Sequence, residues 1–250
     1  MSSSDPGAGI LSDQQVDVIA TRLAERIAAA SNGGLAAEAR KAPAIASRAE
    51  LGEGVFASVD AAVAAATTAY RQFDGMTLEG RHKIIDAIRA MMFEHAEELA
   101  NHAHRETGLG RPEHKLIKNR LVTRKTSGPE VLTPQAVTGD DGLTLTEYAP
   151  YGVIGAITPT TNPTSTIICN TIAMLSAGNS IVFNVHPNAR ECSMANVRLL
   201  HRAVVSAGGP ENLVTTVAEP TIESAQELMQ HKGVRLLAVT GGSGVVRQAM

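Results

Sequence analysis

Strand and helix patterns alternate strictly from Val153 to the last residue, and this feature constrains the fold more than any other. Each short, continuously apolar run is followed by a longer stretch of helical periodicity. Parallel strands buried on both faces have this pattern, because each crossover helix returns the chain to the same edge of the sheet. The sequence therefore predicts an α/β fold with a doubly wound parallel sheet. The expected strands are 153–158, 180–185, 213–217 and 235–240, and the expected helices are 164–176, 190–206, 222–231 and one from Ser243.

The last of these helices has no strand after it. It begins at Ser243, and the sequence ends at Met250 about two turns later. A doubly wound sheet places a strand after each crossover helix. We therefore expect a C-terminus that is truncated within the domain.

Helical periodicity also precedes the sheet, within residues 51–135. Ser58 is a candidate N-cap, and Gly108 is a candidate left-handed stop. A turn at 139–142 comes before an alternating segment that predicts a half-buried strand. One helix is basic, and we expect its charges to form a solvated face. The expected elements are helices 58–73, 78–107 and 113–125, the last carrying Lys115, Lys118, Arg120, Arg124 and Lys125, and a strand at 143–148.

The sequence predicts one amphipathic helix within residues 1–30. Ser12 is the predicted N-cap, Gln15 completes a capping box, and Leu11 and Val16 occupy the positions of a hydrophobic staple. Residues 31–50 have no apolar periodicity, which is typical of a flexible linker. The helix could pack on its own domain, or its apolar stripe could dock on a partner, since a linker separates it from the next strong pattern.

Composition excludes several classes of protein. Of 250 residues, 44% are hydrophobic and 19% charged, so a packed core is expected. A net charge of −3 gives no field for nucleic acid, and no apolar run is long enough to cross a membrane. The two cysteines form neither a disulfide framework nor a metal-ligand pair, so we expect no metal and a cytoplasmic location.

Ligands of an open parallel sheet bind beyond the carboxyl ends of its strands. The first of these ends is the segment Thr158, Pro159, Thr160, Thr161 and Asn162. The second includes His186 and Pro187, the third is 218–220, and the fourth is Thr240, Gly241, Gly242, Ser243, Gly244 and Val245.

The glycine-rich fourth end can present free backbone N–H groups and a helix start to a phosphate, which would suit a nucleotide pyrophosphate. The alternative is that glycine serves only the geometry of a short turn. Asn162 stands between two prolines and could donate an N–H to a developing oxyanion. The alternative for Asn162 is turn formation, because Asn before Pro frequently starts a turn.

Several motifs together resemble the aldehyde dehydrogenase superfamily, and the Thr-Asn-Pro-Thr version resembles its CoA-acylating branch. The resemblance covers about residues 55–250, and the segment ahead of it is similar to the encapsulation peptides of bacterial microcompartment enzymes. The motifs are 106–110, 113–115, 118–119, 150–155, 158–164, 177–180, 186–190 and 240–242.

The resemblance implies a Rossmann-like NAD-binding domain at 150–250, N-terminal helices of that domain at 51–135 and part of an oligomerisation arm at 136–149. It implies that Asn162 helps to form the oxyanion hole, and that the residues named above at the first, second and fourth strand ends hold NAD or NADP. His186 stands where many relatives have a ribose-binding lysine, and Ala189 where they often have a glutamate. Coenzyme A is implied as a co-substrate that uses the same cleft.

The implied reaction is the oxidation of propionaldehyde or acetaldehyde to its acyl-CoA through a cysteine thioester. Neither Cys169 nor Cys192 matches the family's nucleophile position, which would lie beyond Met250, so the printed chain is expected to be inactive alone. The resemblance further implies a homo-oligomer, docked to shell proteins through residues 12–30 in a microcompartment lumen. Two alternatives stay open: a non-catalytic fragment that binds nucleotide or docks cargo, and a semialdehyde dehydrogenase that does not acylate CoA.

Overall fold

The apolar runs form strands, and five of the seven strands within residues 51–250 join one parallel sheet. The structure, a computed structural model, describes residues 51–250. The strands are β1 (Val55–Phe56), β2 (Gln135–Gly139), β3 (Gly142–Thr146), β4 (Val153–Ile157), β5 (Ser180–Asn184), β6 (Val214–Val217) and β7 (Leu236–Val239). The parallel sheet has the order β1-β6-β5-β4-β7, so β4 is flanked by β5 on one side and by β7 on the other.

Helices cover both faces of the sheet, because its central strands are apolar on both sides. In β5, Ile181 and Phe183 join the core beneath three helices, whereas Val182 joins the core on the opposite face. The helices are α1 (Val59–Asp74), α2 (Leu78–Glu94), α3 (Ala96–Thr107), α4 (Pro112–Lys125), α5 (Pro163–Ser176), α6 (Arg190–Ser206), α7 (Ile222–Gln230) and α8 (Ser243–Ala249). The first face of the sheet packs against α2, α5 and α6, and the second packs against α7 and most of α1.

The predicted α/β class and doubly wound parallel sheet are confirmed. Ser58 caps α1 by accepting from the Ala61 N–H at 3.3 Å, and Gly108 ends α3 in the left-handed region with φ 66°. The single helix expected at 78–107 is wrong, because the backbone breaks at His95 and forms α2 and α3. Strand β1 was not expected, since two residues are too few to show a period; it pairs with β6 at the sheet edge.

Strands β2 and β3 form a separate antiparallel hairpin through the expected turn at 139–142. The partner strand β2 was not expected. Both strands are fully exposed, with Val137 68%, Leu143 67% and Leu145 57% accessible. The strand expected at 143–148 is present as β3, but its expected half-burial is wrong for the described chain, because no other element of residues 51–250 covers either face of the hairpin.

Two further observations complete the fold. No helix among residues 51–250 is long and apolar enough to span a membrane. The helix expected within residues 1–30 and the linker expected at 31–50 lie outside the described residues.

Candidate active-site cleft

A cleft of about 740 Å³ opens at the carboxyl edge of the sheet, where the strand order reverses at β4. This is the position at which open parallel sheets bind ligands. Its walls come from the segment Thr158–Asn162 after β4, here named the β4 loop, and from the segment Thr240–Val245 after β7, here named the β7 turn. Eleven of the twelve predicted site residues line it: Thr158, Pro159, Thr160, Thr161, Asn162, His186, Pro187, Thr240, Gly241, Gly242 and Val245.

Ser243 and the third strand end are not part of the cleft lining. Glu219 instead forms an ion pair with Arg190. The expectation that residues 218–220 face the cleft is therefore wrong. The first turns of α7 take their place, through Thr221, Ile222 and Ala225 among other residues.

A capping box fixes the start of α7 beside the end of β5. Thr221 and Ser224 each accept a hydrogen bond from the other's backbone N–H, at 3.1 and 2.8 Å. The Ser224 hydroxyl also donates to Asn184 Oδ1 at 2.6 Å, and Asn184 Nδ2 donates to the Thr221 carbonyl at 3.4 Å. The Thr-x-x-Ser spacing before an apolar helix was a signal in the sequence that could have placed this wall.

Two lysines of α4 hold the β4 loop. Lys115 Nζ donates to the Thr161 carbonyl at 3.0 Å, and Lys118 Nζ donates to Asn162 Oδ1 at 2.8 Å. Lys115 is only 5% accessible, and its pKa is lowered, first by burial and then by the charge of Lys118. The expected solvated face of α4 is therefore wrong at Lys115, whereas Lys118 is exposed as expected while it contacts Asn162.

The other basic residues of α4 are exposed, as the expected solvated face requires, and two of them also contact an aromatic ring. Arg120 and Arg124 place their guanidinium groups over the ring of Phe93, at 5.3 and 4.3 Å from its centroid. Cation–π contacts of this kind retain a charged side chain at an aromatic face. Lys125, at the C-terminal end of the helix, is exposed as expected.

A buried polar network supports the helix that follows the β4 loop. Asn119 is 1% accessible; its Oδ1 accepts from the Thr164 hydroxyl at 3.0 Å, and its Nδ2 donates to the Ala96 carbonyl at 3.1 Å. Asn196 Nδ2 donates to the Thr164 carbonyl at 3.0 Å. The network therefore ties α3, α4 and α6 to the first turn of α5, next to Asn162.

His186 contributes a polar ring edge. Its Nδ1 accepts from the Asn188 N–H at 3.1 Å, so in the neutral ring Nε2 carries the proton and can donate. Ala189 is buried against Ala103 and Cys192 rather than lining the cleft. The resemblance had placed a ligand-binding position of many relatives here, and the described chain uses it for packing.

The β7 turn is bare. A Cβ built on Gly242 would meet no atom of the described chain within 4 Å, and its φ of −67° is one that any residue can adopt. Neither packing nor backbone strain among residues 51–250 therefore requires glycine here. Helix α8, which follows the turn, has only seven residues and therefore adds little helix dipole. What the turn offers a ligand is mainly its open backbone.

Neither cysteine is placed as a nucleophile in the cleft. Cys192 is fully buried in α6, and burial together with the nearby Glu106 carboxylate raises its pKa well above the ordinary range. Glu106 accepts the Glu191 and Cys192 backbone N–H groups at 2.8 Å, so it caps α6. Cys169 lines a second cavity of about 390 Å³, which shares Asn162 and Thr240 with the cleft.

Within residues 51–250, no group of three or more His, Cys, Asp and Glu side chains is arranged to hold a metal ion. His95, the first histidine after α2, pairs with Glu98 at 2.8 Å.

The chain belongs to the aldehyde dehydrogenase family, whose model matches residues 45–250. It is 51% identical over 196 residues to the acetylating acetaldehyde dehydrogenase EutE of Salmonella typhimurium, which covers 78% of this chain and 42% of the relative. The chain therefore spans less than half the length of that relative.

Three solved structures are also similar. A Rhodopseudomonas palustris propionaldehyde dehydrogenase with bound CoA and an acylated cysteine has a TM-score of 0.78 at 49% identity, over 80% of this chain and 46% of that one. An engineered glycolyl-CoA reductase with bound NADP⁺ has a TM-score of 0.78 at 48% identity, over 80% and 46%. A propionaldehyde dehydrogenase from the Clostridium phytofermentans fucose utilisation microcompartment has a TM-score of 0.77 at 49% identity, over 78% and 45%.

Proposed function

We propose that the chain supplies the cofactor cleft and the oxyanion donor of an enzyme that oxidises acetaldehyde or propionaldehyde to the acyl-CoA. One observation carries the proposal: a single cleft joins Asn162 of the β4 loop to the bare glycines of the β7 turn. The similarity to acylating dehydrogenases that act on two- and three-carbon aldehydes supports the reaction and the substrate class.

The residues present fit a nicotinamide dinucleotide, NAD or NADP. Thr158 lines the cleft, and its buried Oγ1 has no hydrogen-bond partner in residues 51–250, which suits a polar ligand. Gly241 and Gly242 would let a diphosphate approach the backbone closely, and His186 Nε2–H would donate to a ribose hydroxyl. When bound, the nicotinamide accepts the two electrons released as the aldehyde is oxidised.

The residue that would act on the aldehyde oxygen is Asn162. A thiolate that attacks the carbonyl carbon pushes a negative charge onto this oxygen, and a neutral N–H donor held in place stabilises the charge. Asn162 Nδ2 provides such a donor without adding a net charge. Because Lys118 occupies Oδ1, the amide has its donor end left for the substrate.

The nucleophilic thiol of the proposed reaction is neither Cys169 nor Cys192. Cys192 is buried and its pKa is raised, so little thiolate forms. In the whole enzyme another cysteine would form the thioester. The thiol of CoA then attacks the thioester carbonyl, the acyl group moves to the CoA sulfur, and the enzyme thiol is released.

We also propose that CoA enters the cleft used by the dinucleotide. Both ligands carry an adenosine and a diphosphate, and the cleft of about 740 Å³ is of the size of a single small-molecule site. The two ligands would therefore compete.

An assay of the whole protein that carries this chain tests the reaction. We expect acyl-CoA to form from acetaldehyde or propionaldehyde only when CoA and a dinucleotide are both supplied. Release of the free acid without CoA would identify a semialdehyde-type dehydrogenase instead. Binding of NADH to the chain without any aldehyde oxidation by the whole protein would favour the non-catalytic alternative.

Calorimetry of the printed chain tests the shared cleft. Saturating CoA should remove NADH binding. Independent binding of the two ligands would contradict a shared cleft.

We further propose that the whole enzyme is a homo-oligomer in a microcompartment lumen, docked to shell proteins through residues 12–30. The similarity to a microcompartment dehydrogenase supports this proposal, as does the capping box with an apolar stripe that the sequence predicts for residues 1–30. Deleting residues 1–30 should abolish association with shell proteins and leave NADH affinity unchanged. Equal shell binding by the truncated chain would contradict the docking role, and sedimentation of the whole enzyme tests the oligomer.

A further inference from the structure

The contact between Lys118 and Asn162 determines which end of the Asn162 amide can donate. A lysine ammonium has three N–H donors and no acceptor, so the amide atom that it contacts at 2.8 Å must be the oxygen. The amide cannot turn its NH₂ group toward Lys118 without placing donor against donor. The Nδ2–H pair is thereby kept as the end that faces away from α4.

The backbone on either side of the Asn162 side chain is held as well. Lys115 donates to the Thr161 carbonyl at 3.0 Å, so the peptide that enters Asn162 cannot rotate freely. The Asn162 carbonyl accepts the Thr166 N–H at 3.1 Å in the first turn of α5. Only the side-chain torsions of Asn162 remain to be set, and Lys118 is the side chain that contacts the amide.

The charge of Lys118 also acts on the amide electronically. Hydrogen bonds from an ionised donor are about twice as strong as those between neutral groups. A cation at Oδ1 draws electron density from the amide and makes its N–H groups better donors, as in polarised hydrogen-bond chains. Orientation and polarisation therefore work in the same direction.

We propose that Lys118 is a positioning residue that orients and polarises the Asn162 amide as the oxyanion donor. The inference rests on the proposed function for the role of Asn162, and adds to it the residue that prepares this donor. Lys118 acts through Asn162 and needs no contact with the substrate.

The first test uses ¹⁵N NMR spectra of the printed chain and needs neither substrate nor cofactor. The side-chain amide signals of Asn162 are assigned by their loss in Asn162→Asp. In Lys118→Met these signals should shift and exchange faster with solvent, and in Lys118→Arg they should stay near their original positions. Lys125→Met is the matched control, because it removes the same charge from an exposed position on the same helix.

The second test measures kinetics in the whole enzyme. Lys118→Met should lower kcat about tenfold while leaving the KM for the dinucleotide unchanged, a smaller loss than the 10²-fold or more expected when an oxyanion donor is removed. Lys118→Arg should recover most of the rate. Asn162→Ala combined with Lys118→Met should be no slower than Asn162→Ala alone, because both changes act through one group.

The outcomes separate the two proposals. If Lys118→Met moves the Asn162 signals no more than Lys125→Met does, while Asn162→Ala is slow, then Lys118 does not position the amide and only this inference fails. If Asn162→Ala has an unchanged rate, the oxyanion role fails and the catalytic purpose of Lys118 fails with it, even where the NMR signals show the pairing.

Discussion

The two walls of the cleft differ in how tightly the protein holds them. In the β4 loop, Asn162 lies between Pro159 and Pro163. Lys115 and Lys118 hold the loop from α4, and the Thr158 N–H donates to the Asn184 carbonyl at 3.4 Å. The β7 turn is exposed throughout. Its glycines contact little of the described chain, and the Thr240 N–H donates to the Ile157 carbonyl at its start.

This difference matches two separate chemical tasks. A donor that stabilises developing charge must be fixed before the reaction, since reorganisation during the reaction would raise the barrier. A surface that receives a diphosphate needs open backbone more than rigidity. The tightly held wall therefore suits catalysis, and the bare wall suits the binding of a large ligand that completes the cleft.

The largest effect is expected at the tightly held wall, for Asn162→Ala. Removing the amide should lower kcat of the whole enzyme about 10²-fold or more, because one preorganised oxyanion donor is lost. The dinucleotide affinity should change little. Steady-state kinetics with acetaldehyde and calorimetry with NADH measure the two quantities. An unchanged kcat would leave Asn162 only its role at the start of α5.

A second prediction concerns the stability of the same wall. Asn119→Ala removes the partners of the Thr164 hydroxyl and the Ala96 carbonyl, and should lower the free energy of unfolding by about 1–3 kcal/mol. Urea denaturation of the printed chain measures this. The control is Asn188→Ala, at an exposed position, which should change the unfolding free energy by less than about 0.5 kcal/mol. Equal effects would show that the network adds nothing.

The sequence predicted the sheet well because its signal is local. The strand and helix bounds after Val153 agree with the structure to within one or two residues, since buried parallel strands and capped helices show their patterns within one element. Glycines also predict where helices end, because this signal needs no information from distant parts of the sequence. Gly178 and Gly208 both have positive φ where α5 and α6 were expected to end.

The support of the β4 loop could not be predicted in the same way. Lys115 and Thr161 are 46 positions apart, and lysines on a polar helix have the same pattern whether they face water or a neighbouring loop. The half-burial expected for the hairpin strand was wrong for a related reason. An alternating strand predicts that one face will be covered, but the pattern does not say by which part of a protein.

A third prediction tests the bare wall. Gly242→Ala should weaken NADH binding about fivefold, or about 1 kcal/mol, because the added methyl group occupies space needed by the ligand. The unfolding free energy should not fall, since the new Cβ meets no atom of the described chain within 4 Å. Gly244→Ala is the matched control, because Gly244 has equally open space but does not line the cleft. Equal NADH affinity in both variants would argue against the β7 turn as a phosphate-binding wall.

The smallest effect is expected on the far side of Asn162, at Cys169. This thiol lines the cavity of about 390 Å³ that Asn162 also lines, and it is more accessible than the buried thiol of Cys192. However, its sulfur accepts a hydrogen bond from the Thr126 hydroxyl at 3.5 Å, and the side chain belongs to the crossover helix α5 rather than to a strand end. Cys169→Ala should therefore change the acyl-transfer rate of the whole enzyme by less than about twofold, whereas loss of a true nucleophile costs several orders of magnitude. Alkylation of the printed chain should modify Cys169 before the buried Cys192. Loss of acyl-CoA formation in Cys169→Ala would contradict this prediction. It would identify Cys169 as the nucleophile and place the nucleophile and the oxyanion donor on the same wall of the cleft.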